Sequence, residues 1–445
     1  MSDVLSVFAA AREAPRATAL RLGDRAYRFD ELADLVSDRM RSLPEPASAP
    51  RPFALVGTNT LDTALTVYAL LQKRVPLLLL HPRATPEEQS AEVEAAACHD
   101  LGGVEDPAAI LYTSGTTGHP RAAVLTRSAL VASAAASAAN LGWQPDDCWL
   151  LAMPIGRIGG LSILTRCLAA RAAVALEPGF DATTLPARID ATGSTLVSLV
   201  PTMLAQTLDA HPQWRSPVHL RAILVGGAAA PAALLRRANE RGLPIVITYG
   251  CTETCSQVVS TPYAYRFETA RYSAGLPLPG VELRAHEGHL HVRGPMLMAG
   301  YLGEPTLPAG AWFDTGDIGH LDEGGFLHVH ARRADLIVTG GENVYPAEVE
   351  RVLQMCPGIR EAGVFGLPDP TWGQVVAAAL VADQAPPADV DLLAFLHDRL
   401  APFKRPRQVC FVPSLQHTPA GKLDRTALPE VASLLRPLRA ARKIA

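Results

Sequence analysis

At 445 residues the chain has room for two or three domains, and its 48% hydrophobic and 19% charged content is that of a globular protein with large cores. A formal charge of −4 and a pI near 6.4 exclude a global basic field of the kind that draws nucleic acid. Seven cysteines are scattered without a CxxC pair, and Cys251 and Cys255 lack the neighbouring His or Cys residues of a zinc set, so reduced thiols in a cytoplasmic protein are the expectation.

In chain order, residues 4–12 read as a helix, with Asp3 where a secretory signal needs a cation. Residues 19–22 and 25–28 read as short strands. Leu32, Leu35 and Val36, at i, i+3 and i+4, mark one face of a helix starting at Phe29. A strand at 53–56, a helix at 61–71 and an apolar strand at 75–80 follow, an alternation that predicts parallel α/β layers. Residues 128–145 carry no charge, but their Ala/Ser richness and length fit a buried helix, and no transmembrane span is expected.

Strands are expected at 148–153, 173–176, 195–200, 223–225 and 245–248, with helices at 162–170 and 202–209. Two of these strands end in Gly226-Gly227-Ala228 and Tyr249-Gly250, and ligands of parallel sheets sit beyond such carboxyl ends. From Glu282 the pieces shorten (290–292, 326–330, 336–338) around the turn Asp322-Glu-Gly-Gly325, which suggests a small β subdomain. Pro346 then opens a helix with Val349, Val352 and Leu353 as its apolar stripe. A strand at 375–381, a Pro-rich loop at 384–389, a helix at 389–400, a strand at 408–412 and a helix with a solvated arginine face at 434–442 complete the chain.

Five stretches carry the chemistry. The first is Ile110-Leu-Tyr-Thr-Ser-Gly-Thr-Thr-Gly-His-Pro-Arg121. Its hydroxyls (Thr113, Ser114, Thr116, Thr117) and its glycines (Gly115, Gly118), whose backbone N–H groups can approach an anion, suit a polyphosphate. An ordinary polar turn is the alternative. The G-x-x-x-x-G-K-[ST] loop of NTPases is absent, since Gly118 is followed by His119, Pro120 and Arg121.

The second stretch, Thr248-Tyr-Gly-Cys-Thr-Glu-Thr254, offers the aromatic face of Tyr249, the hydroxyls of Thr252 and Thr254, and the Glu253 carboxylate. Glu253 could hold Mg²⁺ against phosphate oxygens; a buried strand ending in a capped turn would read the same way. In the third, Trp312-Phe-Asp-Thr-Gly-Asp317, Asp317 could accept both hydroxyls of a ribose, although Asp in a Gly turn is commonplace. The fourth is Arg332-Arg-Ala-Asp-Leu-Ile-Val-Thr-Gly-Gly-Glu-Asn-Val-Tyr-Pro346. The fifth, Thr418-Pro-Ala-Gly-Lys-Leu-Asp424, presents one lysine on a Gly/Pro loop.

In order, spacing and wording these stretches resemble the adenylate-forming superfamily (acyl- and aryl-CoA synthetases, luciferase, peptide-synthetase adenylation domains) from about residue 15 to about 430. The resemblance implies an α/β fold: a large N-terminal domain of layered α/β subdomains plus a small β subdomain (1–333), and a small mobile α+β C-terminal domain (334–445). It implies that Thr113, Ser114, Gly115, Thr116, Thr117 and Gly118 cradle the β- and γ-phosphates of ATP. Gly227, Ala228, Tyr249 and Gly250 would enclose adenine, and Asp317 and Arg332 would bind the ribose. Thr252 would bind the α-phosphate, Glu253 would hold Mg²⁺, and Lys422 would be the catalytic lysine bridging carboxylate and α-phosphate oxygens.

Ala334 falls at the family's hinge, Gly340, Gly341 and Glu342 at its pantetheine channel, and Arg157, Gly160 and Thr202 at its acid pocket. Such enzymes form an acyl-adenylate with loss of pyrophosphate, then pass the acyl group to a thiol with loss of AMP. The implied partners are a small carboxylic acid, ATP with Mg²⁺, and CoA as co-substrate; a homodimer stays open.

Within the superfamily, Gly160-Leu-Ser-Ile-Leu164, Val200-Pro-Thr-Met-Leu204 and Ser273-Ala-Gly-Leu-Pro277 are similar to the o-succinylbenzoate–CoA ligases of menaquinone biosynthesis. Two positions depart from the pattern. Arg121 stands where the phosphate loop usually ends in lysine, and Arg157 stands where many relatives have histidine. An arginine at 157 could pair bidentately with a carboxylate, or could mark a different acid. Another aryl- or acyl-CoA ligase, an enzyme loading a carrier protein in trans, and a non-enzymatic nucleotide-binding relative are the other readings. Glu253, Asp317 and Lys422 speak against the last.

Overall fold

Four-residue apolar strands buried on both faces form the middle of the largest sheet: Cys148–Leu151, Ala173–Leu176, Leu196–Leu199 and Ala222–Val225. Such strands need cover above and below, which parallel crossovers supply as helices. The computed structural model describes residues 3–45, 51–84, 86–101, 103–113, 121–268, 273–332, 335–339, 342–369, 372–400, 402–418 and 421–438.

The nine-stranded sheet runs Leu276–Pro277, Ser256–Ser260, Ile245–Cys251, Ala222–Val225, Leu196–Leu199, Cys148–Leu151, Ala173–Leu176, Thr18–Leu22, Arg25–Arg28. Its interior is parallel, and its outermost strands at both edges turn back antiparallel. A five-stranded sheet runs Gly300–Tyr301, Arg121–Thr126, Pro107–Thr113, Leu77–Leu80, Phe53–Val56. Pro107–Thr113 and Arg121–Thr126 pair antiparallel up to Thr113 and Arg121, so residues 114–120, which lie outside the described residues, connect two paired strands.

Most of the uncharged stretch lies in the helix Arg127–Leu141, capped by Thr126, whose hydroxyl accepts from the Ala129 amide. Small residues let it pack closely, and Ser133 and Ser137 aim inward. Ser133 donates to the Cys255 carbonyl at 2.7 Å and Ser137 accepts from Gln257 at 2.9 Å, so this helix fastens the chain just after Glu253.

A four-stranded antiparallel sheet (Glu282–His286, His289–Arg293, Phe313–Leu321, Leu327–Arg332) forms the β unit expected from the turn signals. Asp317 therefore sits within a nine-residue strand, whose glycines at 316 and 319 mask its pattern in the sequence. The last sheet has six strands: Glu342–Val344, Ile337–Thr339, Gly373–Ala382, Gln408–Phe411 and Arg436–Pro437 in order, with Ile359–Asp369 also paired to Gly373–Ala382. It has its own core, in which Val349, Leu353, Leu392 and Leu396 from the helices Pro346–Gln354 and Asp389–His397 pack on Val376, Ala378 and Leu380.

The expected helix at 434–442 is a correction. Leu428–Leu434 forms 3-10 turns, Leu435 is extended, and Arg436–Pro437 pairs with Gln408–Phe411. Pro437 can neither donate within a helix nor leave its predecessor helical. Arg436 is held instead by two bonds to Asp389, at 2.6 and 2.7 Å. No described helix is long and apolar enough to cross a membrane.

Candidate active site

The parallel pairing of three neighbouring strands runs out side by side: Leu196–Leu199 before Val200, Ala222–Val225 before Gly226, and Ile245–Cys251 at Ile247, just before Thr248 and Tyr249. Carboxyl ends of adjacent parallel strands make a ready pocket wall. Val200 Cγ1 lies 3.4 Å from where a side chain on Gly227 would begin, so the ends of the first two strands touch. At Gly250 a Cβ would overlap the Ser256 carbonyl; glycine there lets the return strand Ser256–Ser260 close on Ile245–Cys251 with a register shift.

Tyr249 crosses from this wall to the β unit and donates its hydroxyl to Asp317 Oδ2 at 2.8 Å. Burial and the Asp317 carboxylate hold the Tyr249 phenol well above its usual pKa, so it stays a donor. Asp317 is buried and pairs across the hairpin with Arg332, whose backbone ends the strand Leu327–Arg332.

After Tyr249 the chain makes one 3-10 turn, Thr252–Thr254. Thr254 is committed to that turn: its hydroxyl accepts from the Cys251 amide at 3.0 Å and donates to the Ser256 carbonyl at 2.7 Å. Thr252 makes no side-chain hydrogen bond with the described residues, which leaves its hydroxyl for a ligand. Glu253 Oε1 accepts from the Tyr301 hydroxyl at 2.9 Å, and the Glu253 carbonyl accepts from the Met298 amide at 2.8 Å.

The donor set around Glu253 suits Mg²⁺ arriving with a nucleotide. Among the described residues no group of three or more His, Cys, Asp or Glu could cage a metal by itself. One carboxylate beside an uncommitted threonine hydroxyl is what Mg²⁺ uses when phosphates and waters complete its shell.

Lys422 reaches this wall from the last sheet. It is exposed, on a turn closed by Thr418 N–H to the Lys422 carbonyl and Gly421 N–H to the Thr418 carbonyl, both 2.7 Å. Gly421, at φ +76°, lies so close to Thr202 that an added Cβ would overlap Oγ1 of that residue, with Val200 Cγ2 3.3 Å away. Thr202 is in the first turn of the helix Pro201–Ala210. The Lys422 turn is thus docked beside the strand ends that carry Gly227 and Tyr249.

Arg157 caps the helix Ile158–Ala170, and its Nε is buried without a hydrogen-bond partner among the described residues. Burial holds its pKa below the ordinary arginine value, against the pull of Glu92. Glu92 Oε2 is likewise buried and unpartnered, and burial raises its carboxyl pKa despite Arg157. Tyr112, next to Thr113, donates to the Glu92 carbonyl at 2.9 Å. The arrangement is a desolvated guanidinium without a bonded anion, which can recruit one. Gly160 is buried three residues on, against the Pro154 carbonyl.

Ser114, Gly115, Thr116, Thr117, Gly118, Ala334, Gly340 and Gly341 lie outside the described residues. Thr113 donates to the Arg121 carbonyl at 3.3 Å, where the strands Pro107–Thr113 and Arg121–Thr126 meet residues 114–120. Glu342 begins the strand Glu342–Val344, and Ala228 follows Gly227 half-buried. Sequence reasoning missed Tyr301 and Glu92. Each reaches the site through sheet or helix packing, and neither lies in a motif.

The chain matches the AMP-binding enzyme family over residues 89–302 and the AMP-binding enzyme C-terminal domain over residues 348–422. It is 39% identical over 357 residues to the 2-succinylbenzoate–CoA ligase of Bacillus cereus, covering 77% of this chain and 73% of that protein. It is similar to the solved o-succinylbenzoate CoA synthetase of Bacillus subtilis in complex with its acyl-adenylate intermediate, with a TM-score of 0.83, 31% identity, and coverage of 96% and 98%. The structure of that enzyme with ATP and magnesium ion gives a TM-score of 0.83 at 31% identity, covering 96% and 99%.

Proposed function

The chain belongs to the family of AMP-binding enzymes, and from that premise we propose an ATP-dependent acid–CoA ligase acting on o-succinylbenzoate through an acyl-adenylate. In this reading residues 1–333 bind ATP and acid, and residues 334–445 move about Ala334 between two half-reactions. Adenine lies against Gly227, Ala228, Tyr249 and Gly250, and the ribose hydroxyls meet Asp317 and Arg332. Thr113 through Gly118 hold the outer phosphates, and Thr252 holds the α-phosphate.

In the first half-reaction a carboxylate oxygen of the acid attacks the α-phosphorus, and the bond to pyrophosphate breaks. Both reactants are anionic, so the barrier falls when fixed positive charge faces the charge that develops. Lys422 supplies one such charge. Mg²⁺ held at Glu253 neutralises the phosphate oxygens when it is bound. In the second half-reaction the CoA sulfur attacks the acyl carbon and AMP leaves, with Gly340, Gly341 and Glu342 lining the thiol's path.

The observation that carries this reading is the seat of Gly421 on Thr202, which brings the Lys422 turn to the nucleotide wall. The acid's second carboxylate has a place at Arg157, whose buried Nε has no hydrogen-bond partner among the described residues. The seven cysteines are unpaired, which suits the cytoplasm, where ATP and CoA are supplied.

The test is CoA-dependent AMP release with ATP, Mg²⁺ and a panel of o-succinylbenzoate, benzoate, succinate and medium-chain fatty acids. The expected result is strong preference for o-succinylbenzoate. Preference for another panel member would remove the substrate assignment and keep the chemistry. AMP release with none would overturn the ligase reading.

A further inference from the structure

The strand Gly300–Tyr301 closes the edge of the five-stranded sheet, pairing Gly300 with Val124 and Tyr301 with Ala123. That pairing puts Tyr301 beside Arg121, at the foot of the phosphate-loop hairpin, and under Glu253 of the other large sheet. Three side-chain contacts then run in series. Tyr301 donates to Glu253 Oε1 at 2.9 Å. The Arg121 guanidinium lies 3.4 Å above the centroid of the Tyr301 ring. Arg121 in turn gives Glu304 two bonds, Nε to Oε1 at 3.0 Å and Nη2 to Oε2 at 2.6 Å.

We propose that Tyr301 is a positioning residue for the metal-binding carboxylate, and that Arg121 and Glu304 form the clamp that holds Tyr301 in place. The proposal rests on the assignment of Glu253 to Mg²⁺. A glutamate with a free χ3 presents either oxygen in many directions, and each ordered rotamer costs entropy when the ion binds. A hydrogen bond on Oε1 fixes the plane of the carboxylate before the nucleotide arrives, which is how outer partners commonly orient metal ligands.

The clamp needs arginine chemistry. One planar group lies flat on a ring and makes two in-plane bonds to a carboxylate at the same time, whereas a lysine ammonium can serve only one partner well. Arg121 is therefore engaged by Tyr301 and Glu304, and the cation over the ring strengthens the phenol as a donor.

The experiment is calorimetric titration of a non-hydrolysable ATP analogue into the full-length protein, once with Mg²⁺ and once with chelator. The chains are wild type, Tyr301→Phe, Arg121→Lys and Glu253→Ala. Tyr301→Phe should weaken binding about tenfold with Mg²⁺ and leave metal-free binding within about twofold, because it removes one hydrogen bond to a charged group. Arg121→Lys should act in the same direction and less strongly. Glu253→Ala should erase the difference between the two conditions.

Equal Mg²⁺ coupling in Tyr301→Phe and wild type, with coupling lost in Glu253→Ala, would overturn the positioning role alone. Coupling that survives in Glu253→Ala would overturn the metal assignment itself. Loss of metal-free binding in Tyr301→Phe would mark the tyrosine as merely structural, and would also count against the proposal.

Discussion

Tyr249 Oη lies 2.8 Å from Asp317 Oδ2, joining the end of a central strand of the nine-stranded sheet to the separate β unit. The bond orders a buried carboxylate that the proposed function assigns to the ribose. Tyr249→Phe keeps the aromatic face and removes only that bond. We expect KM for ATP to rise about tenfold with kcat changed less than about threefold, since a hydrogen bond to a charged group is worth about 1.5–3 kcal/mol. Pyrophosphate-exchange rates against ATP concentration check this. An unchanged KM would mean that Asp317 needs no help from Tyr249.

The contact between Gly421 and Thr202 gives a way to test the proposed two half-reactions separately. Gly421→Ala places a methyl group into Thr202 Oγ1 on a backbone at φ +76°, so the turn or the Thr202 side chain must shift and the seat of the turn on the wall is disturbed. Lys422→Ala keeps the turn and removes the charge. Both variants should lower ATP–pyrophosphate exchange by about a hundredfold or more, the scale expected when an electrostatic partner of the transition state is lost. Both should form thioester from supplied acyl-adenylate within about threefold of wild type, because the proposed mechanism gives the lysine no part in thiol attack. Equal loss of both steps would contradict domain rotation.

What the sequence revealed and what it hid divide along a physical line. The central parallel strands read clearly because burial on both faces demands unbroken apolar runs, as in 148–151 and 222–225. The motif stretches stand out in the sequence because small hydroxyl residues and glycines cluster in short runs there. Elements without a periodic apolar face were missed. Of the helix Pro86–Ala97 only Ala96 is buried, and Ile359–Asp369 is interrupted by Gly363, Gly366 and Pro368. The hydrogen bond from Tyr301 to Glu253 spans 48 residues and depends on the pairing of Gly300 with Val124, which no local pattern encodes.

Arg157 offers a test of acid recognition. Arg157→Ala should lower kcat/KM for o-succinylbenzoate by about 10–100-fold, the worth of a charge-assisted pair. It should lower kcat/KM for a monocarboxylic analogue by less than about threefold, because that acid has no second carboxylate to place. Steady-state AMP release with the two acids checks the ratio. Equal losses would assign Arg157 to the shape of the pocket and not to anion binding.

His81 ties this region to pH. Burial pushes its pKa down to about 4, helped by the Arg157 and Arg83 charges and opposed by Glu88. Its Nδ1 faces the Arg83 amide at 3.1 Å, an acceptor position that only an unprotonated nitrogen can fill. The folded pKa lies below the ordinary value of 6.5, so below about pH 6.5 the unfolded chain binds the proton first. The contribution to stability is thus complete above about pH 6.5 and is lost as pH falls toward about 4. Its ceiling is about 3 kcal/mol, and solvent at the half-buried ring lowers that. His81→Asn keeps an acceptor and cannot titrate, so its urea midpoint should change less between pH 7 and pH 5 than that of wild type. Parallel pH profiles for the two proteins would assign the acid sensitivity to other groups.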